Sequence, residues 1–152
     1  MVAGNNNIER INVFLIGNNP IELSSIYEKL KQIKNRSYHT EIGFEIRGLF
    51  KKIRKFNPAC ILIDDNVERS YMKKLRLKLA ADKNTRDIPI TILKNSNRDS
   101  YITNAEEFVL KESVTGELLS RSILNSIRLK QMRKNISLMY HKRKSQVKKW
   151  MS

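Results

Sequence analysis

The residues with chemistry to offer stand at the ends of apolar runs. ACILI at 59–63 ends in Asp64-Asp65, IPITIL at 88–93 in Lys94-Asn95, EFVL at 107–110 in Lys111-Glu112, and INVFLI at 11–16 in Gly17-Asn18-Asn19. A carboxylate beside an ammonium group makes an ion pair, so Asp64 is expected to pair with Lys111 or Lys94 where these ends meet. Two ammonium groups in one pocket also repel a divalent cation, which needs several oxygen ligands around it. Asp65 comes next in the chain and is expected to point elsewhere. Cys60, inside an apolar run, reads as a small buried hydrophobe. His39 lies in a polar stretch and His141 in a basic one, with no Ser, Cys or Asp arrangement that implies catalysis. One cysteine and two separated histidines exclude a disulfide framework and a zinc cluster. Neither GxxxxGK[ST] nor GxGxxG occurs, so phosphate-cradling glycine loops are absent. These residues do not make an enzyme.

The runs themselves are strand-length, and helical patterns lie between them. Residues 11–16 stop at a GNNP turn and read as a buried strand. Asn19 can cap a helix that Pro20 opens, with Glu22 placed for a capping box. Leu23, Ile26, Tyr27, Leu30 and Ile33 give that helix an apolar face over 20–34. Residues 35–40, NRSYHT, read as a polar loop, and Ile42, Phe44 and Ile46 alternate as a short second strand. A second helix carries Leu49, Phe50, Ile53 and Phe56 and stops near Asn57-Pro58. A third covers about 67–82, and a last one begins near Val114 and runs to about Trp150. Strands apolar on both faces and alternating with helices predict a parallel sheet covered on both sides. The expected fold is a flavodoxin-like, doubly wound α/β sandwich of five strands in the order 2-1-3-4-5. Only ten residues, 95–104, join the fourth strand to the fifth, so the fourth helix is expected to be stunted.

In such a sheet, ligands bind at the carboxyl ends of the strands. NPACILID, IPITILK, EEFVLKES and IGNNP occur there in the order and spacing that resemble the receiver domain of bacterial response regulators, the CheY-like family, over about residues 11–130. The resemblance implies that Asp64 holds the phosphoacceptor position and Lys111 that of the family lysine. It places Phe108 at the switch aromatic and Lys94 at the switch Thr or Ser. Gly17 and Asn18 fall where the family has an acidic pair. Family receivers neutralise the phosphoryl group with magnesium held by three carboxylates. Gly17 brings no side chain and Asn18 only a neutral oxygen, so the chain reads as a degenerate pseudo-receiver with no cofactor and no metal. The resemblance also implies a place in two-component or phosphorelay signalling, with a histidine kinase or an output protein as partner.

Charge divides the chain. Residues 1–117 hold 20 basic and 15 acidic groups, whereas 118–152 hold 10 basic groups and no acid. The expected division is a receiver-like domain at 8–130 and a basic helical extension at 131–152. Leu129, Met132, Ile136 and Met139 follow 3-4-3 spacing, a short seam that suits a homodimer. Lys142, Arg143, Lys144, Lys148 and Lys149, flanked by Tyr140 and Trp150, could meet a polyanion. No apolar run reaches the roughly 20 residues of a membrane span, and MVAGNNNIER does not read as a signal peptide, so a cytoplasmic setting is expected. Three functions are open at this point: a signalling module acting through protein contacts, a small nucleic-acid-binding regulator using the basic tail, and a conventional regulator phosphorylated on Asp64.

Overall fold

The computed structural model describes residues 9–45, 47–95, 107–111 and 114–151. Five strands alternate with helices: β1 (Arg10–Ile16), α1 (Pro20–Lys31), β2 (Ser37–Gly43), α2 (Leu49–Phe56), β3 (Cys60–Asp64), α3 (Arg69–Ala81), β4 (Ile90–Lys94), β5 (Glu107–Leu110) and α4 (Gly116–Met151). They form one parallel sheet in the order β2-β1-β3-β4-β5. This is the expected flavodoxin-like topology. The stunted fourth helix expected over 95–104 falls, beyond Asn95, outside the described residues.

Side-chain alternation divides the core in two. Val13, Leu15, Cys60, Leu62, Leu93 and Val109 point to the face covered by Leu23, Ile26 and Leu30 of α1 and Leu119 and Ile123 of α4. Phe14, Ile16, Ile61, Ile63 and Ile92 point to the other, under Leu49 and Ile53 of α2 and Met72, Leu75 and Leu79 of α3. β3 is buried along its whole length, as a central strand with both faces covered must be.

The second strand departs from expectation. It occupies Ser37–Gly43, beginning inside the stretch read as a loop and keeping Ile42 of the expected strand, and Phe44 beyond it is 55% exposed. β2 is an edge strand bonded to β1 alone; its polar Ser37, His39 and Glu41 are exposed, with the His39 ring 5.6 Å from that of Phe56, while Tyr38 and Ile42 pack on the core. Gly43 ends it where a Cβ would lie 2.7 Å from Phe14 Cε1, so the edge closes tightly over the core.

α1 begins as expected: Asn19 Oδ1 accepts from the N–H groups of Ile21 and Glu22 at 3.1 and 3.3 Å. α2 stops at Phe56, and Asn57 takes a left-handed φ of 51° as its C-cap. α4 has 36 residues. At 1.5 Å per residue it is about 54 Å long. Its first turns pack on the sheet. There Ser120 meets the hydroxyl of Tyr38 at 2.5 Å, and Ser126 shares a short hydrogen bond with Thr91 of β4. From Gln131 to Met151 every residue is exposed.

Candidate functional site

Asp64 has the same facing as Leu62, toward α1 and α4, at the carboxyl end of the central strand. Its side chain is 2% exposed. A charge so far from water needs partners, and it has them on both oxygens. Oδ2 accepts from Lys111 Nζ at 2.6 Å. Oδ1 accepts from the backbone N–H of Asn66 at 3.1 Å and from Asn95 Nδ2 at 2.9 Å.

Lys111 follows β5 directly, and its side chain is 14% exposed. The ammonium also donates to Glu22 Oε2 at 2.6 Å. Glu22 sits in the first turn of α1, where a carboxylate is favoured by the helix dipole. Its carboxylate turns to Lys111 instead of serving a capping box. Burial works against the ammonium. The hydrogen bonds and charges of Asp64 and Glu22 outweigh it and hold the pKa of Lys111 above its ordinary value.

Asp65, expected to point elsewhere, lies in the turn after β3 and brings its carboxylate to the same Asn95 amide nitrogen that Asp64 uses. Asp65 Oδ1 accepts from the backbone N–H of Asn95 at 3.2 Å and from the Asn95 side-chain amide. Asn95 thus bridges the two aspartates. Asn18 donates through Nδ2 to the carbonyl of Asn66 at 2.9 Å, tying the loop after β1 to the loop after β3. Gly17 sits between Leu23 and Asp64, and a Cβ there would lie 2.8 Å from Leu23 Cδ2 and 3.3 Å from Asp64 Cβ.

No protein-family model matches the chain, and no curated protein matches it. Solved structures do. A response regulator from Desulfuromonas acetoxidans superposes with a TM-score of 0.61 at 16% identity, covering 78% of this chain and 98% of its own. The receiver domain of a sensor histidine kinase from Pseudomonas aeruginosa, solved with magnesium coordinated in its active-site cleft, gives 0.64 at 15% identity over 78% of this chain and 98% of that one. A sensor protein from Polaromonas gives 0.64 at 15% identity, covering 80% and 99%. The fold is that of a response-regulator receiver domain.

Within the receiver fold, the strand ends gather four of the residues singled out in the sequence: Asp64 and Lys111 in direct contact, with Gly17 and Asn18 on the loop beside them. Lys94 ends β4 half-buried, in register with Leu110, and the contact from that strand end to Asp64 comes from Asn95. The backbone of Phe108 pairs with Ile92. Its side chain, and so the switch-aromatic expectation, lies outside the described residues. Lys142, Arg143, Lys144, Lys148 and Lys149 are exposed on α4, away from this cleft.

Glu22 and Asn95 were not singled out as site residues. Glu22 offered two local roles, cap and first-turn acid, that hid its reach across to Lys111. Asn95 had one signal, its place at the end of an apolar run beside a lysine.

Proposed function

We propose that the chain is a degenerate receiver, a pseudo-receiver that signals through protein contacts and not through magnesium-dependent phosphorylation of its aspartate. In this reading Asp64 stands at the phosphoacceptor position, Lys111 at the family lysine, Lys94 at the switch hydroxyl, Phe108 at the switch aromatic, and Gly17 and Asn18 at the acidic pair. Residues 8–130 form the receiver unit and 131–152 a separate extension.

One observation carries the reading: Asp64 is saturated by nitrogen donors, and the end of β1 brings it no carboxylate. The donor set does not fit magnesium. The ion takes oxygen ligands in near-ideal octahedral geometry. Here an ammonium lies 2.6 Å from Asp64 Oδ2, Oδ1 already accepts two N–H groups, and Asp65 is held by Asn95. A nucleophilic carboxylate must also meet its phosphoryl donor, and a side chain 2% exposed offers little approach. With Lys111 bound on both sides, the cleft favours one fixed conformation. The chain then presents a surface to a signalling partner, a histidine kinase or an output protein, without catalysis of its own.

Titration calorimetry with magnesium chloride, followed by incubation with acetyl phosphate and with beryllofluoride, tests this. The expected result is no magnesium binding below the millimolar range and no phosphorylated species on a phosphate-affinity gel. Micromolar magnesium binding, or a phosphoprotein abolished by Asp64→Asn, would establish a conventional receiver instead.

A further inference from the structure

The last 21 residues of α4, 131–151, are exposed throughout, yet they carry large apolar side chains. At 100° per residue, Met132, Ile136, Met139, Tyr140, Val147 and Trp150 fall within an arc of about 100°. They are 52 to 90% exposed, with Trp150 the most. Leu138 lies on the far face. Lys142 lies on one flank of the arc, Lys144 and Lys148 on the other, and Arg143 inside it with a stem long enough to snorkel. Residues 118–152 contain no acid.

Three occupants could cover this face. Pairing with a second copy uses the seam Leu129, Met132, Ile136 and Met139, whose next positions are Arg143 and Gln146, so the seam ends after two heptads. The flanking positions would also set Arg128 against Arg133 of a parallel partner, a like-charge pair. A nucleic acid would engage the basic flanks but leave the apolar centre in water, since phosphate contacts come from Lys and Arg. A lipid surface takes both. Apolar side chains enter the acyl boundary, lysines on each side reach anionic headgroups, and tryptophan sits at the headgroup level. The apolar arc is also wider than a coiled-coil seam, as an interfacial helix requires.

We infer that residues 131–151 form an amphipathic helix that lies in the interface of an anionic membrane, with Met132, Ile136 and Val147 in the acyl boundary and Trp150, Lys142, Lys144 and Lys148 at the headgroup level. This rests on the extension alone and holds whether or not Asp64 is phosphorylated. The helix does not span: among the described residues no helix is long and apolar enough to cross a membrane.

The test uses the full 152-residue chain and vesicles of phosphatidylcholine with and without 30% phosphatidylserine. Trp150 is the single tryptophan, so its emission reports the extension directly. The expected result is flotation with the anionic vesicles, a blue shift of Trp150 and no binding to neutral vesicles, the affinity falling about fivefold for each of Lys142, Lys144 and Lys148 changed to Ala. Ile136→Asp with Val147→Asp, on an exposed face where the fold is not at stake, is expected to cut binding by at least about tenfold. A chain that ignores anionic vesicles overturns the inference. So does vesicle binding that survives the Ile136→Asp, Val147→Asp double change. If the chain instead binds duplex DNA with equal affinity before and after that change, the occupant is a nucleic acid. If sedimentation shows a dimer abolished by it with no vesicle binding, the occupant is a second copy.

Discussion

Lys111 Nζ lies 2.6 Å from Asp64 Oδ2, joining the ends of β5 and β3 across the intervening β4. The bond ties two strands that share no backbone hydrogen bonds. It is the most buried ion pair among the described contacts, with side-chain exposures of 14% and 2%. Removing Lys111 leaves Asp64 buried and charged without a counter-ion, whereas removing Asp64 leaves Lys111 paired with Glu22. Lys111→Met is therefore expected to destabilise the fold by roughly 2–4 kcal/mol, read as a lower urea midpoint with an unchanged slope. Asp64→Asn, which leaves a neutral acceptor for Lys111, should cost less. Equal effects would mean that the ammonium, and not the buried carboxylate, sets the cost.

Stability should fall on the alkaline side. Lys111 has a raised pKa from its two carboxylate partners, which outweigh desolvation, and Tyr38 has one raised by burial, partly offset by its bond to Ser120. A raised folded-state pKa means that the folded chain holds its proton longer than the unfolded one. That contribution is whole below the unfolded values, about pH 10, and is lost as pH rises through the folded values. Urea midpoints measured from pH 8 to 11.5 should fall, and less steeply in Lys111→Met and Tyr38→Phe. A limb as steep in both variants as in the parent would sink this assignment.

Gly17 is filled in by its neighbours. A Cβ there meets Leu23 Cδ2 at 2.8 Å, and Leu23 is buried. Gly17→Ala should cost about 1–3 kcal/mol by overpacking. In a Leu23→Ala background the same change should cost less, because the blocking methyl is gone. Placing a carboxylate at Gly17 thus requires repacking α1 as well as changing the charge.

Thr91 and Ser126 hold a hydroxyl pair in full burial between β4 and α4. Ser126→Ala leaves the Thr91 hydroxyl with Cys60 Sγ at 3.6 Å as its neighbour. Each single change, Ser126→Ala or Thr91→Val, should cost about 1–3 kcal/mol, and the double change less than the sum. Strict additivity in chemical denaturation would show that the two hydroxyls do not depend on each other.

The central strands could be read from the sequence because burial on both faces leaves an apolar run with no alternative. ACILI and IPITIL have that character, and each appears within two residues of its expected place. The edge strand is legible as a strand but is set too far along the chain, because Ser37 and His39 are exposed and their polarity reads as a loop until β1 supplies the ladder. At the site, the Asp64–Lys111 pair follows from the strand ends together with the resemblance to receiver domains. Glu22 and Asn95 do not, because their roles depend on how far α1 and the β4 end lean over the cleft, a matter of packing that spacing alone does not encode.

Packed at one end and bare at the other, α4 is a lever. Its buried Ser126 is pinned to Thr91, and Trp150 lies 24 residues further on, about 36 Å along the axis. A tilt of about 10° at that pin would swing the tip sideways by about 6 Å. Whatever strains or relaxes the sheet under Ser126 is thereby magnified at the far end of the molecule, where a displacement too slight to notice in the core becomes as large as the diameter of a side chain.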